Sequence, residues 1–141
     1  MAASRGDYAD WLDTADGALA LVILLDQFPR NLYRGSAHAF ATDAFARAAA
    51  RAAVEAGHDQ AIQPPLRLFF YMPFEHSEQQ EDQDRALELI SRVGDEGYTR
   101  FAVLHRDIIT RFGRFPHRNA CLGRQSTDEE LAFLADGGFS G

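Results

Sequence analysis

Residues 14–31 read TADGALALVILLDQFPRN, and the last four letters nearly recur as FPHRN at residues 115–119. Both motifs follow apolar residues at helical spacing, the first of them the continuous run Ala18–Leu25. Proline disfavours the α conformation in the preceding residue and lacks an amide hydrogen, so each Phe-Pro step predicts the end of a helix. Each motif then holds an Arg and an Asn beside a helix terminus. There a guanidinium binds carboxylates, phosphates or helix-end carbonyls.

The chain has 141 residues, 46% of them hydrophobic and 25% charged, which predicts a single domain over residues 1–141. Apolar periodicity and caps predict helices at about 14–27, 37–56, 65–72, 77–93, 95–112 and 126–136. In the second helix the packing positions are Phe40, Ala44, Phe45, Ala48, Ala52 and Val54. A strand competes only at LRLFFYM, residues 66–72. The connections are short, so the prediction is an all-α fold of antiparallel helix pairs.

Composition excludes several classes of function. The net charge of −7 and the pI near 5.1 argue against nucleic-acid binding. All basic residues are Arg, which removes lysine nucleophiles, and the single cysteine, Cys121, excludes an internal disulfide or a multi-thiolate zinc site. The longest apolar run is too short to span a membrane, and no signal peptide precedes it. We therefore expect a cytoplasmic protein with no membrane partner and no cofactor.

Four segments resemble one known family. They are LLDQFPRNLYRG at 24–35, PFEHSE at 73–78, HRDIITRFGRFPHRNACLGRQSTDEE at 105–130 and FLADGGFSG at 133–141. From roughly Leu19 onward the sequence is similar to the bacterial domain-of-unknown-function family 924. The resemblance implies an all-helical, tetratricopeptide-like fold, and it implies no activity.

The resemblance also bears on self-association. Members of that family usually carry an additional N-terminal helical segment with a Phe-Trp-Phe signature, and here the chain opens only a short way before the first motif. The segment Leu19–Leu25 is apolar nearly all round, and such a helix must be covered on most sides. We expect a homodimer that buries the region from Trp11 to Leu25 against a second chain. The alternative is that Tyr8–Asp13 folds back and covers this helix within one chain.

Asp26 and Arg30 in the first motif stand four residues apart, the spacing of an ion pair on a helix face. Such a pair either fixes the turn or orients Arg30 toward a ligand anion. Both interpretations stay open. Gln27, Asn31 and Arg34 are the neighbouring candidates for ligand contact.

The second and third motifs contain histidines beside carboxylates. His76 with Glu78, and His105 with Asp107, are candidate catalytic pairs in which an imidazole acts as general base. A structural role is equally open for both: Ser77 and the following acids are typical of a helix N-cap, and His105 falls within an apolar stripe, where a histidine is usually a satisfied core residue.

These motifs lead to one hypothesis, a polar cleft that binds a small anionic ligand or peptide. We predict that Arg30, His76, His105 and His117 line this common cleft. The further candidates for ligand binding in the third motif are Arg111, Arg114, Arg118 and Asn119. A small hydrolase that uses a His-carboxylate pair is the main competing hypothesis. The sequence also allows a divalent metal held by His76, Glu78, His105 and His117, a Cys121 nucleophile near His117, and a structural interaction domain without a small ligand.

Overall fold

The structure is a computed structural model that describes residues 8–141. Over that range the chain forms helices and turns but no strand, which confirms the prediction of an all-α fold. The α-helices are α1 (Ala15–Leu32), α2 (Asp43–Glu55), α3 (Met72–Glu75), α4 (Gln80–Val93), α5 (Glu96–Phe112), α6 (Asn119–Leu122) and α7 (Asp128–Ala135). Short 3-10 helices lie at Ala9–Asp13, Ala37–Phe40, His58–Ala61, Leu66–Phe70 and Pro116–Arg118. From residue 8 onward, no helix is both long and apolar enough to cross a bilayer.

Two helix pairs form the body of the fold, α1 against α2 and α4 against α5. Only Gly94 and Asp95 join α4 to α5, so the two helices pack antiparallel. Gly94 has φ of 88°, a left-handed conformation that ends α4 without the strain a side chain would bring. Asp95 then begins α5 by accepting a hydrogen bond from the Tyr98 amide at 3.0 Å.

Small residues let α1 and α2 approach closely. The buried face of α2 consists of four alanines, Ala46, Ala49, Ala50 and Ala53. This corrects the packing face predicted from the sequence, because Ala44, Phe45, Ala48 and Ala52 are exposed. In a helix rich in alanine, periodicity does not decide which alanines face the core. The bulky apolar side chains come instead from α1, the 66–75 segment and α4.

Pro29 lies inside α1, which corrects the prediction that the Phe28-Pro29 step ends this helix. Proline cannot donate to the carbonyl four residues earlier, so the Leu25 carbonyl loses its helical partner. Thr42 replaces that partner, because its hydroxyl donates to the Leu25 oxygen at 2.5 Å. Thr42 is buried and immediately precedes α2, so one hydrogen bond allows α1 to continue and links it to the next helix.

The segment before α1 covers this helix within the chain. The 3-10 helix Ala9–Asp13 packs against α1, and the side chains of Tyr8 and Leu12 contact the main core. A Cβ atom at Gly17 would overlap the Trp11 carbonyl, so glycine permits this close approach. Within one chain, the structure therefore matches the alternative in which Tyr8–Asp13 folds back and covers this helix. The reason for expecting a homodimer is weakened, and the dimer itself stays a prediction.

The segment 66–75 is helical rather than extended. The 3-10 helix Leu66–Phe70 leads into α3, and Pro73 lies in the first turn of α3 instead of ending a helix. Phe70, Tyr71 and Phe74 from this segment are buried in the main core. At the other end of the chain the sequence allows two overlapping capping boxes, Ser126 with Glu129 and Thr127 with Glu130, and the second of these begins α7.

The Thr42 hydroxyl can be tested by substitution. Thr42→Val should lower the free energy of unfolding by about 1–3 kcal/mol, because a buried carbonyl loses its partner. Thr42→Ser keeps the hydroxyl and should lower the free energy of unfolding much less. In a Pro29→Ala background, the amide of residue 29 can donate to the Leu25 carbonyl, so Thr42→Val should lower the free energy of unfolding by less than it does in the wild type.

Urea unfolding of these variants measures this coupling. An equal decrease in both backgrounds would show that the Thr42 hydroxyl does not replace the amide that Pro29 lacks.

Candidate functional site

A cavity of about 510 Å³ lies between the C-terminal part of α1, the end of α3, α5 and the C-terminal segment. Most of its polar lining residues come from the motifs singled out in the sequence. They are Gln27, Arg30, Asn31, Arg34, His76, His105, His117 and Arg118. The four residues predicted to share a cleft are thus brought together. Among the described residues that line the cavity, three are arginines and none is Asp or Glu.

Arg30 is already neutralised by two carboxylates. Its guanidinium binds Asp43 through two parallel contacts, Nη1 to Oδ1 at 2.8 Å and Nη2 to Oδ2 at 2.9 Å. Nη1 also donates to the backbone oxygen of Asp26 at 2.9 Å and to its carboxylate at 3.0 Å. Such a bidentate pair fixes the guanidinium in one orientation. Arg30 therefore joins α1 to the start of α2 and has little capacity left for a ligand.

Arg118 is held differently. It is 7% exposed, and its guanidinium carbon lies 4.5 Å from the centre of the Phe40 ring and 4.6 Å from that of Phe115. Its Nη2 donates to the His76 carbonyl, at the end of α3, at 2.8 Å. This arginine of the second motif is thus buried and bonded to a helix-end carbonyl, one of the partners expected for it. Within residues 8–141 no carboxylate forms an ion pair with Arg118.

The electrostatic state of Arg118 reflects this environment. Burial, with a smaller contribution from the charge of Arg30, lowers the pKa of Arg118 to about 10, which still leaves the side chain charged at neutral pH. Its Nε is enclosed and has no hydrogen-bond partner in the described part of the chain. A buried charge that lacks a counter-ion is costly, and Arg118 is such a charge at the wall of the cavity.

His76 is oriented by a buried carboxylate. Its Nδ1 lies 2.9 Å from Oδ1 of Asp26, a side chain that is 1% exposed. Burial by itself raises the pKa of Asp26, but the contacts with His76 and Arg30 outweigh it and lower that pKa. Asp26 is therefore an anion that accepts a hydrogen from Nδ1, and the other ring nitrogen of His76 is left for the cavity. The predicted pair of His76 with Glu78 is not formed.

His105 contacts Glu75, not the predicted partner Asp107. Its Nδ1 lies 2.7 Å from the Phe101 carbonyl and 3.2 Å from Oε1 of Glu75. Burial lowers the pKa of His105 to about 4. Burial, followed by the charge of Asp26, raises the pKa of Glu75 to about 7. Between these values both groups are neutral, so their contact is not an ion pair.

The remaining wall is largely aromatic. The Phe139 ring packs 4.6 Å from the His105 ring and 5.1 Å from the His117 ring, measured between centres. Burial, followed by the charge of Arg118, lowers the pKa of His117 to about 4, and Nδ1 of His117 is enclosed without a partner in residues 8–141. Cys121 also lines the cavity, with its thiol directed to the Arg118 carbonyl at 3.3 Å.

Glu78 is a structural residue outside the cavity. Its carboxylate accepts two hydrogen bonds from Arg124, at 2.8 and 3.1 Å, and one from the Phe115 amide at 2.6 Å. Burial raises the pKa of Glu78, but these donors outweigh that effect and lower it. Glu78 thus fixes the backbone of the FPHRN turn, and its predicted pairing with His76 was wrong.

Four more candidates also lie outside the cavity. Asp107 is exposed beside Arg106, and Arg111 binds Glu129 at the surface. The Arg114 guanidinium forms two contacts with Glu130, at 2.8 and 2.7 Å. Asn119 donates to Ser126 and accepts from Arg124, so it connects the turns before α7. These positions correct the expectation that the four residues belong to the common cleft, and the side chains of Arg111, Arg114 and Asn119 have partners within the fold.

The metal hypothesis finds no support in the geometry. In the range 8–141, no group of three or more His, Cys, Asp or Glu side chains is placed to hold a metal ion. One nitrogen of His76 is hydrogen-bonded to Asp26, and the Glu78 carboxylate is bound by Arg124. Two of the proposed metal ligands therefore already have protein partners.

The sequence profile described as "Bacterial protein of unknown function (DUF924)" matches residues 1–138. The chain belongs to this family. A solved structure from Agrobacterium tumefaciens, described as a protein of unknown function, is 50% identical and superposes with a TM-score of 0.94. The match covers 96% of the present chain and 77% of the Agrobacterium chain. No curated protein matches the sequence.

Several lining residues of this family member were missed in the sequence. Phe40, Met72 and Phe139 line the cavity, and each is an apolar residue. Phe139 lies in the FLADGGFSG motif that contributed to the family resemblance, and this was the available signal. Phe40 and Met72 carry none, because their position depends on how α1, α2 and α3 pack.

The raised pKa of Glu75 predicts how stability depends on pH. The native state keeps this carboxyl protonated up to about pH 7, whereas the unfolded chain loses the proton near the ordinary value of 4.5. The stabilisation is therefore complete below pH 4.5 and is lost as the pH rises through 7, a difference of about 3 kcal/mol.

Glu75→Gln cannot ionise, so its free energy of unfolding should exceed that of wild type at pH 8, and the difference should shrink toward pH 5. Urea unfolding from pH 5 to 8 measures this difference. The control Glu55→Gln, at an exposed position, should follow the wild-type curve. Parallel curves for Glu75→Gln and wild type would contradict the raised pKa.

Proposed function

We propose that the protein binds a small anion, a carboxylate or a phosphate, in the cavity between α1, α3 and α5. The observation that supports this proposal is the charge of the lining, in a chain of net charge −7. Its described residues include three arginines and no carboxylate, and two of these arginines, Arg34 and Arg118, form no ion pair within residues 8–141. An acidic chain has no general reason to concentrate arginines around a concave surface. Local positive potential in a cleft raises the concentration of anions there.

The arginines play different parts in this proposal. Arg30 is paired with Asp26 and Asp43, so it supports the wall. Arg118 is buried and pairs with no carboxylate in the described chain, so it is the principal anion contact. Arg34 is exposed at the cavity, likewise without a carboxylate partner within residues 8–141, and would bind the part of the ligand nearer to solvent.

The test is thermal unfolding with inorganic phosphate, sulfate, succinate or a matched concentration of chloride. A ligand that binds only the native state raises the melting temperature by mass action, here by roughly 2–5 °C at ten times the dissociation constant. Arg118→Gln should remove this rise, whatever its effect on the melting temperature without ligand. The matched control is Arg111→Gln, an exposed arginine outside the cavity, which should keep the full response.

Cys121 offers a second measurement that does not depend on stability. It is the only cysteine in the chain and lines the cavity, so a bound anion should slow its reaction with a thiol reagent. Protection by phosphate in wild type, absent in Arg118→Gln, is the expected result. If no anion changes either readout, or if zinc or manganese stabilises the protein in a chelator-sensitive way while anions do not, the proposal is wrong.

A second candidate function is hydrolysis in the same cavity, supported by the Asp26–His76 contact. A carboxylate on Nδ1 fixes the ring and leaves Nε2 to accept a proton from an attacking water. The test is release of p-nitrophenol from its phosphate and acetate esters. Activity that His76→Phe abolishes and the exposed control His38→Phe retains would support this function. The absence of turnover in wild type with both esters would leave anion binding as the only proposal.

A further inference from the structure

The hydrogen on His105 can be assigned from the partners of this side chain. Nδ1 lies 2.7 Å from the Phe101 carbonyl, which can only accept a hydrogen bond. A bare nitrogen at that distance would set two lone pairs against each other, so Nδ1 carries the hydrogen. Because His105 is neutral at pH 7, its Nε2 is then a hydrogen-bond acceptor.

Nε2 of His105 faces the cavity. No side chain or backbone group of residues 8–141 donates a hydrogen bond to it, yet it is not sealed within the protein as Nδ1 of His117 is. His105 is one of the residues that line the cavity, and its side chain is only 9% exposed. The cavity thus presents an acceptor that no group of the described chain satisfies.

His76 contributes a second ring nitrogen to the cavity. Its Nδ1 hydrogen is directed to the ionised carboxylate of Asp26, so its Nε2 is the ring nitrogen that remains for the cavity. No group of residues 8–141 forms a hydrogen bond with it. Two imidazoles, each fixed through Nδ1 by a different element, therefore line one region of the site.

Arg118 and His105 contact the same aromatic ring. The centre of Phe115 is 4.6 Å from the guanidinium carbon of Arg118 and 5.5 Å from the centre of the His105 ring. The guanidinium carbon and the His105 ring centre are therefore at most about 10 Å apart, a distance that a small molecule of a few carbon atoms can bridge. At one end it meets donors with a positive charge, and at the other it meets an acceptor that requires a donor.

We propose that the ligand is a small acid that carries hydroxyl groups, a hydroxy acid or a polyol phosphate. This rests on the proposed function and specifies the class of ligand. The acid group binds Arg118, and a hydroxyl donates to Nε2 of His105. An acid with an apolar tail would bury that nitrogen without a donor, and a site built to bond a hydroxyl discriminates against the analogue that lacks one.

The experiment compares matched pairs of ligands, glycerol phosphate with propyl phosphate and glycerate with propionate, by calorimetric titration at pH 7. In wild type we expect the hydroxylated member of each pair to bind about threefold to tenfold more tightly. His105→Phe keeps a ring against Phe115 and Phe139 but has no acceptor, so it should bind both members equally. The exposed control His38→Phe should keep the preference.

The outcomes separate this inference from the function on which it rests. Equal binding of both members by wild type would overturn the inference and leave anion binding intact. If His105→Phe still prefers the hydroxylated ligands, the inference is also overturned, because another group must then bind the hydroxyl. If no member of either pair binds, anion binding itself fails. The wild-type comparison needs no variant, so the inference stays testable if His105→Phe does not fold.

Discussion

The buried carboxylate of Asp26 is the interaction on which the site depends. It lies in the C-terminal part of α1 and is 1% exposed, so its charge is tolerable only because donors surround it. Gln27 and Arg30 come from its own helix, and His76 comes from the end of α3, fifty residues later in the chain. Through Arg30 the network extends to Asp43 at the start of α2. Asp26 does not line the cavity, but it fixes three residues that do.

Much of the fold could be predicted because its signals are local. Apolar periodicity and cap residues located the long helices, α4 and α5 most closely, and also α7. The prediction was wrong where a distant group overrides a local rule. A proline normally ends a helix, but the hydroxyl of Thr42 satisfies the carbonyl that Pro29 leaves without a donor. Nothing in the neighbouring sequence reveals such a compensation.

The candidate site could also be predicted only in part, because some of its features depend on distant residues. The residue types that carry chemistry were recognisable, and His76, His105, His117 and Arg118 do meet around one cavity. Their partners were not. His105 and Asp107 are two apart on α5 and do not face each other. His76 lies in the connection between α3 and α4, where it binds Asp26 from α1 and not Glu78. Sequence identifies which side chains are candidates, whereas packing decides which of them meet.

The apolar side chains form two separate clusters, and the cavity lies where they meet. The main cluster joins α1, α2, α4 and the beginning of α5, whereas Ile108, Ile109 and Phe115 form a smaller one with Phe112, Phe133 and Phe139. A small cluster costs less to open than a whole domain, so the two need not unfold together. Opening of the smaller cluster would carry Phe115 and Phe139 away from Arg30 while the α1–α2 pair stays folded. Amide hydrogens in α7 should then exchange with solvent through a sub-global opening, and the cavity would exist only in the closed state. Any molecule that bridges both clusters would slow that exchange by holding them together.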